Sequence, residues 1–442
     1  MLTKNPQRLA WITILGGLVL FFALCLGTVA LVRWIVFESP TPLNVTVHVG
    51  KGTVGLLEPE SADEKAVRSS ATLNPSERLS TDNLSQGYLA FSDPYSGDIV
   101  ATVTLRGDSR ATLRRANRPR FSLNDNPYEI RLENVIGGLE VWVSDGLERP
   151  IELEIETALG TTRITQKGNV LLHVTSDRLT VIARDGDATL TALSGEQVRL
   201  VSATTALVQQ STPTITVRQG PIDLLPYSTF GTAWPKEWIC AHQPDPGFPN
   251  APGGDFDYGV ADGRSMIHIW RTQSGPTPAK TGCYQELGER NGDETANNDE
   301  AASPPGLDIT QYAEVRLRVT MLVHHQSLSA CGIAGSECPV MLRMDYLDQY
   351  GNPRVWYHGF YAEYRPNENG RRTCASCWEP HEQINKDAWY TYESGDLLND
   401  WPEDLRPGAI QRIEFYASGH EYDVMLNEVA LIASLPQPNG AP

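Results

Sequence analysis

Basic residues are scarce in this chain. It has 36 Lys and Arg against 54 Asp and Glu, a net charge of −18 over 442 residues. Such a surface repels a phosphate backbone, so nucleic acid is not an expected partner. Catalytic signatures are also missing. There is no G-x-S-x-G elbow, no phosphate loop and no G-x-G-x-x-G opening a helix. His381-Glu382-Gln383-Ile384-Asn385 lacks the second histidine of a zinc-protease helix. A glycosidase needs only two acids close in space, which no motif reveals. With that exception the residues point away from an enzyme. Helical periodicity is nearly absent beyond the first forty residues, with one candidate around 60–67. Wholesale disorder is excluded by 40% apolar and only 20% charged residues.

Charge is absent altogether from Leu9 to Val32. These 24 residues exceed the roughly 20 that cross a hydrocarbon core. Trp11 and Trp34 flank the run, where amphipathic rings favour the headgroups. Lys4 and Arg8 before it, against Arg33 after it, place the N-terminus in the cytoplasm. A cleaved signal peptide is the alternative, but its apolar region is shorter, and Val32-Arg33-Trp34 is a poor cleavage exit. The expectation is a single-pass cell-membrane protein with a short cytoplasmic tail (1–8), an anchor (9–37) and the bulk of the chain extracytoplasmic. Cysteine usage agrees. Cys25 lies in the span, and the other six cysteines are all outside it, an even number in an oxidising compartment.

Residues 43–208 form short alternating runs such as 43–49, 99–105, 129–135, 139–143, 151–157 and 178–183. Gly97-Asp98, Asp145-Gly146 and Asp185-Gly186 separate several of them. Residues 209–225 look like a linker with one further strand. Tryptophan and cysteine then become frequent, which marks a second domain over 226–434, followed by a tail (435–442). In 314–323, Val315, Leu317, Val319, Met321 and Val323 alternate with Glu314, Arg316, Arg318 and Thr320. One buried and one solvated face implies antiparallel sheets, and two of them packed together make a jelly-roll sandwich. The acidic, small-residue stretch 285–306 reads as a long exposed loop. The fold class is all-β: a transmembrane helix, a stacked-hairpin β domain and a β-sandwich.

Two resemblances refine this picture. Residues 86–201 resemble a FecR-type domain through Leu179-Thr180-Val181, Asp185-Gly186-Asp187-Ala188-Thr189-Leu190 and Gly195-Glu196-Gln197-Val198-Arg199-Leu200. Glu156-Thr157-Ala158-Leu159-Gly160-Thr161-Thr162 is similar to that family's strand entry, with alanine where proline is usual. The resemblance implies an extracytoplasmic signalling or assembly module. The sigma-factor relay known in the family needs a longer cytoplasmic segment than Met1–Arg8. Residues 230–434, closing on Val424–Ala433, resemble a galactose-binding-like jelly roll, a fold shared by carbohydrate-binding modules and adhesive domains.

Candidate sites follow. Cys331, Cys338, Cys374 and Cys377 flank a predicted hairpin and so share one end of the sandwich. They form disulfides, with Cys240 and Cys283 as the remaining pair, or hold a structural zinc tetrahedrally. Trp356, Tyr357, Tyr361 and Trp378 offer rings that stack on sugars, although alternation divides them between two faces. Asp255, Asp257 and Asp262 in a Gly-rich loop could bind calcium or form a solvated turn. No catalytic residue and no cofactor is expected beyond these structural ions. The expected role is a non-catalytic envelope protein presenting a binding or scaffold domain. Its partners are the membrane, and a glycan or an envelope protein.

Overall fold

The computed structural model describes residues 6–121, 123, 125–230, 237–244, 252–272, 277–288 and 306–436. Most of the expected loop 285–306, Trp234 and the ends of both tails lie outside these residues. The helix Pro6–Phe37 is long and apolar enough to cross a membrane, and its apolar window is unburied. After Glu38 and Ser39 the chain enters its first strand, Pro40–Pro42. Everything beyond is β-structure and loop among the described residues, apart from the short 3-10 turn Glu403–Leu405. No helix forms at 60–67. Those residues make turns and the strand Lys65–Val67, because partners across the sheet outweigh a weak local helical preference.

The first β domain has two sheets facing one another. One runs Lys65–Val67, Val54–Leu57, Arg78–Thr81, Arg110–Pro119, Tyr128–Val143, Ile151–Thr157, Gly160–Ile164, Ala188–Ala192, Gln197–Leu200. The other runs Ser70–Thr72, Asn44–Lys51, Gln86–Ser92, Ile99–Leu105, Tyr128–Val143, Gly168–Val174, Arg178–Asp185, Thr204–Gln209, Thr212–Gln219. Tyr128–Val143 belongs to both. The sequence suggests two strands here, 129–135 and 139–143, but the structure joins them. The buried positions change parity on the way, from Tyr128, Ile130 and Leu132 to Leu139, Val141 and Val143. A bulge between Glu133 and Ile136 supplies the extra residue, with Asn134 and Gly137 at φ of 54° and 92°. The strand thus turns the corner while keeping its apolar side chains inside.

The second β domain is a sandwich. Its first sheet runs Asp255–Ala261, Arg264–Arg271, Tyr422–Ser434, Glu314–Gln326, Tyr390–Glu393. Its second runs Ile239–Pro244, Ala279–Glu286, Pro407–Gly419, Val340–Asp348, Pro353–Tyr361, Glu382–Gln383. Between them lie Ile267, Ile269, Val315, Leu317, Val319, Leu342, Met344, Phe360, Ile413 and Phe415, all nearly inaccessible. Within the expected linker, Thr212–Gln219 is the edge strand of the first domain. Ile222–Asp223 already pairs with Tyr422–Ser434 of the second.

The outer face of the sandwich's first sheet is not solvated as alternation suggests. It packs on the first domain. Arg318 and Thr320 are 1% and 2% exposed. Tyr88 and Ala90 of the first domain meet Met266, Leu322, Ala388 and Trp389 of the second in one apolar cluster. Gln86 exchanges two hydrogen bonds with the backbone of Thr391, at 3.1 and 2.8 Å. Asn385 donates to the carbonyls of Val49 and Arg68, and Lys51 pairs with Glu382. With that sheet covered, the opposite sheet is the one whose outer face points away from the first domain.

Candidate functional site

Four neighbouring strands of that outward sheet carry the site: Ala279–Glu286, Pro407–Gly419, Val340–Asp348 and Pro353–Tyr361. Period-2 alternation sends Leu342, Met344, Trp356, Phe360, Ile413 and Phe415 inward. The same alternation sends Tyr284, Arg343, Asp345, Tyr357, Arg412, Glu414 and Tyr416 outward. Register aligns one row across the sheet. Tyr284 lies opposite Glu414, Glu414 opposite Arg343, and Arg343 opposite Tyr357. Three inter-strand steps of about 4.8 Å put the two tyrosines roughly 14 Å apart.

Cations hold the rings. The Arg412 guanidinium lies 3.7 Å from the Tyr284 ring centroid, Lys280 Nζ 3.9 Å from Tyr416, and Arg343 5.8 Å from Tyr357. Glu414 anchors all three cations, at 2.6 Å from Lys280, 3.4 Å from Arg412 and 3.7 Å from Arg343. Arg343 also forks onto Asp345 at 2.7 and 3.0 Å. Burial lowers the Lys280 pKa against the opposing pull of Glu414. Burial likewise raises that of Tyr416, so its phenol stays neutral. Each cation has a carboxylate partner, and Tyr284 and Tyr357 stand partly exposed beside them.

A cysteine-stapled loop walls one end of this face. Ala330, Cys331 and Cys338 pack with Met341, Tyr361 and Tyr416, and Tyr357 and Tyr364 lean on the cluster. The disulfides are Cys331–Cys338, Cys374–Cys377 and Cys240–Cys283, the last linking two adjacent strands. The first two pairs do share one end of the sandwich, and each brings its sulfurs within 4.8 Å of a ring nitrogen of His381. Paired sulfurs are not thiolates and offer a zinc ion no ligands of the usual kind. His381 is itself satisfied. Its Nδ1 accepts the Gly359 N–H at 2.9 Å and its Nε2 donates to the Gly335 carbonyl at 2.7 Å. Burial lowers its pKa, and the imidazole is a neutral strut between the two loops.

The four rings expected to stack on sugars divide, as alternation implied, between faces. Tyr357 is on the outward face. Trp356 is 4% exposed inside the sandwich, where it touches Trp401 at 5.8 Å. Tyr361 is 2% exposed beneath the stapled loop. Trp378 is exposed at the sandwich edge, its ring 4.7 Å from that of Trp401. Asp255, Asp257 and Asp262 do not converge. The first two begin the strand Asp255–Ala261 and the third lies in the turn after it, about 20 Å along an extended chain from Asp255. Asp262 instead accepts the Trp389 indole N–H at 2.8 Å. Sequence reasoning missed Tyr284, Tyr416, Arg343, Arg412 and Glu414. Each looks ordinary in its own strand, and only the alternation in Arg412-Ile413-Glu414-Phe415-Tyr416 hinted at a dressed outer face.

No family model matches the chain, and no curated protein matches it. Among solved structures it is similar to a Parabacteroides distasonis protein described as an anti-sigma factor, at 14% identity and a TM-score of 0.24. That match covers 32% of this chain and 59% of the other. It is also similar to a family 11 carbohydrate-binding module of a Clostridium thermocellum cellulosomal cellulase, at 10% identity and a TM-score of 0.25 over 49% of this chain and 97% of the module. A third is TmCBM61 in complex with β-1,4-galactotriose, at 12% identity and a TM-score of 0.22, covering 48% and 99%. Scores this low carry no functional residue across. The architecture rests on the strand pairings above.

Proposed function

We propose that this chain is a non-catalytic, membrane-anchored glycan-binding protein whose second domain receives a polysaccharide on its outward tyrosine face. In this reading the helix crosses the membrane with its N-terminus in the cytoplasm. The FecR-like first domain is the stand, and the galactose-binding-like second domain is the receptor. One observation carries the reading: Tyr284 and Tyr357 flank a row of paired charges on the sandwich face that the described residues of the first domain leave open. Flat rings a few sugar lengths apart suit a linear chain, and the absence of an unpaired cation among Lys280, Arg343 and Arg412 suits a neutral one.

The test is retention of the detergent-solubilised full chain on a panel of insoluble and arrayed glycans. Tyr357→Ala and Tyr284→Ala are each expected to weaken binding about tenfold, or about 1.4 kcal/mol. A chain that retains no glycan, or binds one equally well after both changes, would remove this reading.

A further inference from the structure

We propose that Arg120, Phe121 and Leu123 of the first domain form a second membrane contact, resting in the headgroup layer beside the helix. This builds on the helix being the membrane anchor. The helix is 32 residues, about 48 Å, while the hydrocarbon core is about 30 Å. If the uncharged run to Val32 fills that core, Phe37 lies five residues, about 7.5 Å, farther out, within the headgroups. Arg120 and Asn126 are tied to that level. The Asn126 side chain donates to the Phe37 carbonyl at 3.1 Å. The Arg120 N–H donates to the Ser39 carbonyl at 3.0 Å. Only Glu38 and Ser39 separate helix from strand, so the domain has about 7 Å of slack at most.

The composition of this contact suits the headgroups. Leu123 is 68% exposed and Phe121 40%, beside exposed Arg120. Trp34 and Phe37 at the helix end are 50% and 43% exposed, and Arg33 adds a second cation. Apolar side chains with neighbouring arginines and a tryptophan are the mixture that favours a bilayer surface. Glu38 and Asp125 offset the two arginines, so apolar insertion rather than anionic-lipid attraction supplies the contact. A folded domain held at two points keeps its orientation to the membrane, which points the outward tyrosine face in a set direction.

Leu193 is the internal control, being 72% exposed but at the opposite end of its sheet. Tyr128, just beyond Asn126, pairs with Ile151. The next strand returns so that Leu153 meets Ile164, and Gly160, at the far end, meets Ala192. The full chain, in a Cys25→Ser background, is reconstituted in vesicles of phosphatidylcholine and phosphatidylglycerol. Spin labels are attached in turn to Leu123→Cys, Leu193→Cys and Val19→Cys. Collision with dissolved oxygen is compared with collision with a water-soluble nickel chelate. Oxygen is expected to dominate at 19 and 123, and the chelate at 193. If 123 behaves like 193 while 19 stays lipid-exposed, the proposed contact is wrong and the anchor stands. If 19 also meets the chelate, the anchor reading falls and takes the contact with it.

Discussion

Arg318 and Glu140, 178 residues apart in the chain, meet in a buried ion pair between the two β domains, one terminal nitrogen of Arg318 donating to both carboxylate oxygens. Glu428 accepts a further bond from Arg318 Nε at 2.7 Å, and Glu393 takes its remaining arm. Arg106 adds bonds to Glu140 and Glu393 at 3.3 and 2.8 Å, and Arg184 reaches Glu428 at 2.6 Å. Arg106, Arg184 and Arg318 thus balance Glu140, Glu393 and Glu428. Arg264 donates to Thr102 at 2.7 Å and lies between the Trp142 and Trp389 rings. Such a set tolerates little relative displacement of the domains, because any shift leaves a buried charge unpaired.

Removing Arg318 leaves three buried carboxylates to share the two remaining cations, Arg106 and Arg184. Arg318→Ala is expected to destabilise the chain by about 3–5 kcal/mol. Arg316→Ala, two residues away with its side chain 38% exposed, should cost under about 1 kcal/mol. Urea unfolding of both variants checks this. Equal midpoints would show that the network contributes nothing.

Acid should loosen the interface in a definable window. Burial opposes the Glu393 charge, but Arg106 and Arg318 prevail and hold its pKa at about 2 against an ordinary 4.5. Glu140, likewise buried, is pulled well below its usual value by Arg318 and Arg106. A carboxylate depressed in the folded state stabilises fully above its unfolded pKa, and the gain fades as pH falls through the folded one. Stability from this source should hold above about pH 5 and drain away from 4.5 toward 2. Thermal unfolding of Glu393→Gln should show a shallower acid slope than the parent.

His358 gives a second, higher window. Its ring stacks between Trp356 and Tyr392 at 5.8 and 4.9 Å, and neither nitrogen has a hydrogen-bond partner among the described residues. Glu379 and Glu382 lie at 4.0 and 3.8 Å. Burial, with His381 and Lys51 adding to it, lowers its pKa from 6.5 to about 3. The unfolded chain therefore binds the extra proton, and stability declines as pH drops below 6.5. His358→Phe should keep the stacking, remove the unpaired nitrogens and raise the melting temperature by a margin that widens as pH falls from 6.5 toward 3. A fall in melting temperature there would mean that the nitrogens have a use in the fold.

The three disulfides should differ in worth. Cys240–Cys283 closes 43 residues, and the other two close 7 and 3. Loop entropy predicts about 4 kcal/mol for the first against about 2 for each of the others. Paired Cys→Ala changes measured by denaturant unfolding should reproduce that order.

Neighbouring aromatics separate fold from function. Trp356→Ala empties a core site and should cost about 3–5 kcal/mol. Tyr357→Ala, on the opposite face of the same strand, should leave stability nearly unchanged and alter only glycan retention. Loss of stability in both variants would argue that the outward face is structural.

Much of this architecture is legible one strand at a time. Alternation in 314–323 and 340–347 assigns the core side of each strand, because a strand's faces follow from period 2 alone. Charge-free Leu9–Val32 declares its helix, since a hydrophobic run of that length has few other uses. The six cysteines beyond the helix declare themselves as an even set, and the clustering of four around one hairpin brings two pairs to the same end. The interface is another matter. Arg318 and Thr320 have the polar signature of a solvated face, and nothing local distinguishes them from Arg316.

What the sequence by itself determined is therefore the class of each segment: one membrane-compatible helix, then strands with a known inside and outside. Tertiary structure alone decided which outsides stay outside. It buried Arg318 against Glu140, put Trp356 in the core and Tyr357 in the open, and aligned Tyr284 with Tyr357 from strands more than seventy residues apart. The physical reason is that alternation is a short-range property of the backbone. Register between distant strands, and the docking of one domain on another, depend on long-range packing and charge pairing that no local window contains.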